Sequence, residues 1–481
     1  MISLLLAFLP LILAVVTIAV FRQSALRAGM AGLLTSVVVI LIWPAFVISG
    51  LVATFSVAAS NLLNISLVLL GGVLLYRVLA SGGALQTIAD GIVGAIKPPD
   101  HQVFALVFGA SVFFESATGF GVGIVVVAPL FLALGYSPVK AGVLALLGQC
   151  AVPWGALSIG TVIGAELSGI PVTALGAMSA LYAMPVVLIF GFAALKIAGL
   201  ASRQSIAKLF AYAFLLSVLL WLSTLYFGAE LAGCVAGLLV LLVAIAINFP
   251  GNVRQTSARD YLALLPFFVL LCSLCISRLL PPVSEFLQSI EFNLFNGIRI
   301  APFYHAGFYL MVAAVVGLLL FSSARRDYKQ LSIRVFSQWI NATLAVGGFI
   351  LLGQLMMDSG MTSLIAGSLV SGLSQHYIFA VPVIGALGGF LTASNAASNA
   401  LFMSLQVEAA AELALPLDVV ASAQNAAGSN VTLASPGRLV FAASVVGQAG
   451  AESLLLYKVA WAALAGVASA AIVAWCLLAF S

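Results

Sequence analysis

Phe113-Phe-Glu-Ser-Ala-Thr-Gly-Phe-Gly-Val-Gly123 lies within an apolar segment, residues 103–134, and carries an acid where an ordinary membrane helix tolerates none. Lys97 precedes the segment and Lys140 follows it. Lys and Arg collect in cytoplasmic loops, so both ends fall on one side of a bilayer. A single span would put them on opposite sides and upset every later loop. Two half-helices meeting at Glu115-Ser-Ala-Thr-Gly-Phe-Gly121 restore the order, so a re-entrant hairpin is expected. Residues 378–414 repeat the pattern from the other face. No Lys or Arg occurs between Arg334 and Arg438, while Glu408, Glu412 and Asp418 do. The second turn is expected at Thr392-Ala-Ser-Asn-Ala-Ala-Ser-Asn399.

The rest of the chain fixes the environment of these segments. Of its 481 residues, 63% are hydrophobic and 7% charged, against about 25% charged in a soluble domain. Such a chain cannot cover itself for water, and in lipid only helices or closed barrels satisfy the backbone. Runs such as Leu209 to Phe227 and Leu455 to Phe480 lack strand-like alternation, which excludes a barrel. Spans of about 20 apolar residues are predicted at 2–21, 29–49, 62–80, 139–163, 173–195, 209–227, 231–248, 261–279, 303–322, 337–356, 417–437 and 455–479. The first reads as a retained helix, not a cleaved leader, because 1–21 lacks a basic start.

Basic loops hold Arg22 and Arg27, then Lys196, Arg203 and Lys208, then Arg254 and Arg259, then Arg325, Arg326, Lys329 and Arg334. Neutral or acidic loops between them hold Glu166, Glu230, Glu285 and Glu291. The alternation places both termini outside. The expected fold is an all-α polytopic membrane protein of about 12 transmembrane helices plus two re-entrant hairpins. The net charge of +4 is scattered, which argues against nucleic acid. The five cysteines lie in apolar stretches. Cys272 and Cys275 have C-x-x-C spacing inside a membrane helix, where packing is the expected role. No metal or cofactor set is expected.

The two hairpin regions also resemble each other. Ser81-Gly82, Ile88-Ala89, Phe104-Ala105, Gly109-Ala110 and Glu115-Ser116 are followed later by Ser359-Gly360, Ile365-Ala366, Phe379-Ala380, Gly385-Ala386 and Ala393-Ser394 at similar spacings. After the hairpins, Val139, Ala141 and Gly148 match Val419, Ala421 and Gly428. Opposite charge orientation makes this an inverted repeat, a common transporter build. The expected organisation is a first half at 1–195, connecting helices at 196–302 and a second half at 303–481.

Irregular backbone at membrane depth belongs where it lines a cavity or is buried in protein. Half-helix N-termini there carry unpaired N–H groups and partial positive charge, which suits a carboxylate. The candidate substrate residues at the first turn are Ser116, Thr118, Gly119 and Gly121. At the second they are Asn395, Ser398 and Asn399. The broken helices around Gly148–Gly155 and Gln424–Asn430 supply further ends, with candidates Asn425, Ser435 and Arg438. Glu115 is the sharpest candidate: a buried acid is a functional hypothesis by default, here a proton carrier, with capping of the returning half-helix as the plainer reading. Arg438 either pairs with a carboxylate or anchors the cytoplasmic face. Arg77 and Lys458 are expected to snorkel, and Trp43-Pro44 to kink a helix.

At these motifs the sequence resembles the L-lactate permease family. Glu115-Ser-Ala-Thr-Gly-Phe-Gly121 is similar to that family's E-G-x-x-G-F-G element. Ser398-Asn-Ala-Leu-Phe402 with Leu405-Gln406 is similar to S-S-N-A-L-F-x-x-L-Q. Gln424-Asn425 through Ser435-Pro436 resembles the later N-x-x-G…I-S-P stretch, and Gly447 to Glu452 echoes G-x-x-G-x-E-S. The resemblance implies proton-linked uptake of lactate or a related 2-hydroxy acid such as glycolate. Ser116 departs from the family's glycine and Val122-Gly123 from its small-Pro pair. The family's basic residue before I-S-P is replaced by Thr432, with Arg438 following instead. That departure bears on which substrate is carried.

The reading is a proton-coupled symporter of a small carboxylate anion in a bacterial inner membrane. The rivals are a sodium-coupled dicarboxylate or sugar-acid carrier, an anion channel and a membrane-embedded enzyme. No H-E-x-x-H, phosphate loop or nucleophile beside a base supports the last. Partners are the anion, protons and the lipid bilayer; a homo-oligomer is compatible with the sequence.

Overall fold

The hydropathy of the sequence resolves into a bundle of helices, described from a computed structural model at residues 2–21, 23–42, 51–119, 121–248, 258–293, 299–322, 328–448 and 450–480. Arg22, Arg254, Arg325 and Arg326, the Trp43-Pro44 kink and Phe120 at the first turn lie outside the described residues. Seven helices there are long and apolar enough to cross a membrane, and the bent pair Pro138–Leu147 and Val152–Ser168 would make an eighth. The chain is therefore an all-α polytopic membrane protein. The twelve full-length spans expected from hydropathy need redrawing, because six further apolar helices are only 10–17 residues long.

Two of the long helices run well past their apolar centres. Leu51–Ser81 and Tyr328–Asp358 are each 31 residues, where hydropathy marks 62–80 and 337–356. Backbone hydrogen bonding inside a helix is indifferent to side-chain polarity, so Ser60, Asn61 and Asn64 do not end the first one. Each long helix stops at a left-handed glycine, Gly83 at φ 70° and Gly360 at φ 76°, a conformation glycine adopts without steric cost. An amphipathic link follows, Ala84–Ala95 in one case and Met361–Leu373 in the other.

Next comes a pair of helices joined by a short turn. The first pair begins at Pro99, passes through a π-helical stretch at Ala105–Ala110, reaches Thr118, and returns as Val122–Ala133. The second pair is Tyr377–Thr392 and Asn395–Glu412. A broken helix follows each. The first bends by 69° between Pro138–Leu147 and Val152–Ser168. The second interrupts at Thr432–Ala434 between Leu417–Val431 and Pro436–Val445. Long closing helices, Val172–Ala198 and Glu452–Phe480, end the two series. The element order is thus the same twice over.

Arg203–Phe227, Ala229–Ile247 and Ala258–Leu279 connect the series. A short antiparallel strand pair, Phe292–Asn293 with Arg299–Ile300, precedes Ala306–Leu320 and was not foreshadowed by hydropathy. The cysteines are free thiols.

Candidate functional site

The two turns and the first broken helix enclose one cavity of about 270 Å³, lined among others by Glu115, Gly119, Gly155, Ala156, Gly160, Thr392 to Ala397 and Arg438. That is just under the roughly 300–1,000 Å³ typical of drug-sized ligands. Ala342 and Ala345 of the long Tyr328–Asp358 helix complete the wall. Alanine and glycine dominate the lining, and their missing side-chain volume is what leaves the space.

Backbone geometry at this cavity is unusual on three sides. Gly119 closes the first arm at φ 72°, ψ −155°, a region open essentially to glycine alone. A Cβ there would lie 2.6 Å from Ala156 Cβ. Ala156, Leu157 and Ser158 are all left-handed, at φ 49°, 52° and 61°, and Ala393 at the second turn is at φ 58°. Each such non-glycine residue costs of order 1–3 kcal/mol and persists only where surrounding structure holds it. Ser158 is held by its hydroxyl, which donates to Ala229 O at 2.5 Å.

One ion pair joins the two series across this cavity. Arg438 Nη2 donates to Glu115 Oε1 at 3.0 Å, with the side chains 11% and 5% exposed. The amides of Gly121 and Gly123 each donate to the Glu115 carboxylate at 3.3 Å. The geometry shows the plainer expectation for Glu115, a cap on the returning half-helix, and places the acid, buried, on a cavity wall. It is not an isolated acid, because Arg438 answers its charge. Arg438 points inward to a carboxylate, as the first of its two expected roles requires. The same guanidinium donates through Nη1 to Gln149 Oε1 at 2.6 Å.

The second turn carries a polar network centred on Asn425. Its Oδ1 accepts from Asn395 Nδ2 and Asn399 Nδ2, both at 2.8 Å. Its Nδ2 donates to Thr161 Oγ1 at 3.1 Å and Ser179 Oγ at 2.9 Å. Asn399 Nδ2 also donates to Gly160 O at 2.9 Å, tying the second hairpin to the first broken helix. Asn395 Oδ1 and Asn399 Oδ1 are buried without a partner among the described residues, and such an unmet acceptor costs about 1–3 kcal/mol.

The other expected site residues sit outside the cavity wall. Ser116 packs beneath it: a Cβ on Gly233 would meet Ser116 Oγ at 2.1 Å and Trp154 Cβ at 2.7 Å. Thr118 donates to Phe114 O at 2.8 Å inside its own helix. Ser398 donates to Gly385 O at 3.0 Å within the second hairpin. Ser435 caps Pro436–Val445 by accepting from the Arg438 amide at 3.3 Å. Gly121 lies beside Arg438, whose Nη1 would be 3.2 Å from an added Cβ. Gln149, Thr161, Ser179 and the left-handed turn at Ala156 to Ser158 were not picked out from sequence. Only the Pro153 break beside Gln149 gave a hint.

Short helix pairs, broken helices and a charged cavity at their meeting point define a multi-pass membrane transport protein. Two solved transporters share the overall fold. The YdaH transporter of Alcanivorax borkumensis superposes with a TM-score of 0.53 at 14% identity, covering 95% of this chain and 99% of that one. Neisseria gonorrhoeae MtrF, described among antimetabolite efflux pumps, gives 0.51 at 12% identity with 96% of both chains covered. The sequence matches the L-lactate permease family over residues 3–300 and 295–480; the chain belongs to that family, and it is a permease rather than an enzyme. An L-lactate permease of Streptococcus iniae is 25% identical over 432 residues, covering 85% of this chain and 91% of the relative. The glycolate permease GlcA of Escherichia coli K12 is 22% identical over 520 residues, with 94% and 91% covered.

Proposed function

We propose that this permease is a secondary transporter carrying a proton together with L-lactate or a related small 2-hydroxy monocarboxylate. The names of its relatives, lactate and glycolate permeases, support the substrate class. The observation that carries the reading is the Glu115–Arg438 pair on the wall of the cavity between the two turns. Arg438 is the natural receptor for a carboxylate, because guanidinium matches that group in charge and geometry. Glu115 already occupies one edge of it. A substrate anion entering beside Glu115 places two carboxylates on one guanidinium, and like charges at that distance oppose each other. A proton on Glu115 removes the conflict. Anion and proton therefore bind together, each raising the affinity for the other by the same factor.

In this reading the two hairpins are re-entrant, the series related as an inverted repeat, and the membrane the bacterial inner membrane with both termini outside. The halves are 1–195 and 303–481, joined by 196–302. Ser116, Thr118, Ser398 and Ser435 then support the site from behind, while Gly119, Asn395 and Arg438 face the ligand. Alternating exposure of the cavity breaks and remakes contacts between halves, and Arg438–Glu115 is the charged contact best placed to report which state is occupied.

The test is flux of labelled lactate into proteoliposomes with proton and sodium gradients imposed separately. A proton gradient should drive accumulation in the wild type. Glu115→Gln should abolish that accumulation while retaining counterflow exchange, because an amide cannot change charge during the cycle. Accumulation driven by sodium alone, or proton-driven accumulation persisting in Glu115→Gln, would refute the assignment.

A further inference from the structure

Arg438 has a second partner that the coupling scheme leaves unused. Gln149 is 1% exposed and stands where the first broken helix is interrupted. Its Oε1 accepts from Arg438 Nη1 at 2.6 Å, and its Nε2 donates to Ser111 Oγ at 3.4 Å. Ser111 lies one helical turn before Glu115 on the same arm. A guanidinium donates only, so it demands the amide oxygen, and the nitrogen is left to face Ser111.

The packing reserves this place for the amide. A Cβ on Gly148 would lie 2.4 Å from Ser111 Oγ. One on Gly123 would lie 2.7 Å from Ser111 Oγ and 2.8 Å from Gln149 Nε2. Gly123 is also the residue whose amide donates to Glu115. Acid, guanidinium and amide are thus set in one frame by groups from both series.

We infer that Gln149 is a positioning residue that keeps Arg438 aimed at the substrate carboxylate once Glu115 lets go. The inference rests on the reading that Arg438 receives that carboxylate. A guanidinium held by Glu115 alone would be released whole when Glu115 is protonated, and ordering it again on substrate would cost rotamer entropy. Held at Nη1 by an uncharged acceptor, it stays in place with Nη2 free and its charge uncompensated. A carboxylate at 149 would hold it but neutralise it. An apolar side chain would do neither.

The experiment measures binding of labelled lactate to purified full-length protein at neutral and mildly acidic pH, alongside thermal melting. Gln149→Met should raise the lactate Kd roughly tenfold, the scale of one charge-assisted hydrogen bond. Gln149→Glu, which keeps the shape and the acceptor, should weaken binding at neutral pH and recover on acidification as the new carboxylate is neutralised. A merely structural role would lower melting or abundance of the Met variant and leave affinity and pH profile as in the wild type. That result overturns the inference, as does an unshifted pH profile for Gln149→Glu should the Met variant not accumulate. Arg438→Gln separates the two layers. If it binds lactate like the wild type, the reading of Arg438 itself fails; if it is impaired while the Gln149 variants are not, only the role of Gln149 falls.

Discussion

Asn395 and Asn399 read alike in sequence, as two amides one helical turn apart behind small residues. The fold gives them different surroundings. Asn395 is on the cavity wall, with its nitrogen held by Asn425 and its oxygen unmet. Asn399 is fully buried and bridges Gly160 O and Asn425 Oδ1. Asn395 lies on the wall, and a rotation of its amide would present that unmet acceptor to a ligand hydroxyl, which donates as well as accepts. Asn395→Ala should therefore weaken lactate binding more than binding of propionate, which lacks the 2-hydroxyl, with the protein accumulating normally. Asn399→Ala should leave the lactate-to-propionate ratio alone and lower stability by about 1–3 kcal/mol, through the partners it abandons. Parallel binding of both acids to the two variants decides between them. A ratio altered only in Asn399→Ala would reverse the assignment. Glu115 was legible because one acid in an apolar run stands out. Gln149, Thr161 and Ser179 were not, since their side-chain partners are 38 to 289 residues away and amides and hydroxyls are unremarkable in a membrane helix.

Whole elements were easier to read than their ends. A helix break falls within each expected turn, and Pro153 stands at the first broken helix; the second break, expected at Gln424–Asn430, comes later at Thr432–Ala434, because polar Gln424, Asn425 and Asn430 do not end the helix Leu417–Val431. The π-helical stretch Ala105–Ala110 and the left-handed turn after Trp154 left no mark, because alanine, leucine and serine carry no signal for such backbone. The foot of the first short helix pair shows how an element is anchored. Lys208 donates to Asp100 Oδ2 at 2.7 Å and Ser205 Oγ adds a bond at 3.2 Å. His101 Nδ1 meets Tyr212 OH at 2.8 Å. Burial pushes the Asp100 carboxyl up, but the hydrogen bond and charge of Lys208 outweigh it and hold the group below its ordinary value. A carboxyl lowered on folding stabilises the fold above its unfolded pKa, about 3.9, and loses that contribution as pH falls through the lowered value. Thermal melting of the wild type should therefore drop across that acidic window. Asp100→Asn should melt lower at neutral pH and show a shallower drop. An acid profile identical to the wild type's would mean that the Asp100–Lys208 pair does not anchor the hairpin.

At the scale of the molecule, the expected orientation rests on where Lys and Arg collect. Arg278 looks like an exception, since it closes Ala258–Leu279 on the side assigned to Glu230, Glu285 and Glu291. Its charge is answered there: Nη2 and Nε both reach Glu230 Oε2 at 2.8 Å, Nη1 donates to Tyr304 O at 2.7 Å, and the guanidinium lies 3.7 Å over the Tyr304 ring. A single arginine held at a helix end is outweighed by the basic loops on the other side, each with two or more Lys or Arg, so it does not overturn the assignment. The bias then rests on Arg27, Lys196, Arg203, Lys329 and Arg334 with their neighbours. Ser24, Gln330 and Gln288 are all exposed at helix ends, so a cysteine at any of them would be reachable from the side it faces. In a background lacking the five native cysteines, an impermeant thiol reagent applied to intact cells should label Gln288→Cys. It should spare Ser24→Cys and Gln330→Cys until the cells are opened. The same set tests the repeat, because Gln330 stands in the first turn of the long helix that opens the second series. If Gln330→Cys labels from outside and Gln288→Cys does not, the molecule is inserted the other way up. If both label, an odd number of crossings between them has been miscounted, and the two series would lie parallel instead of inverted.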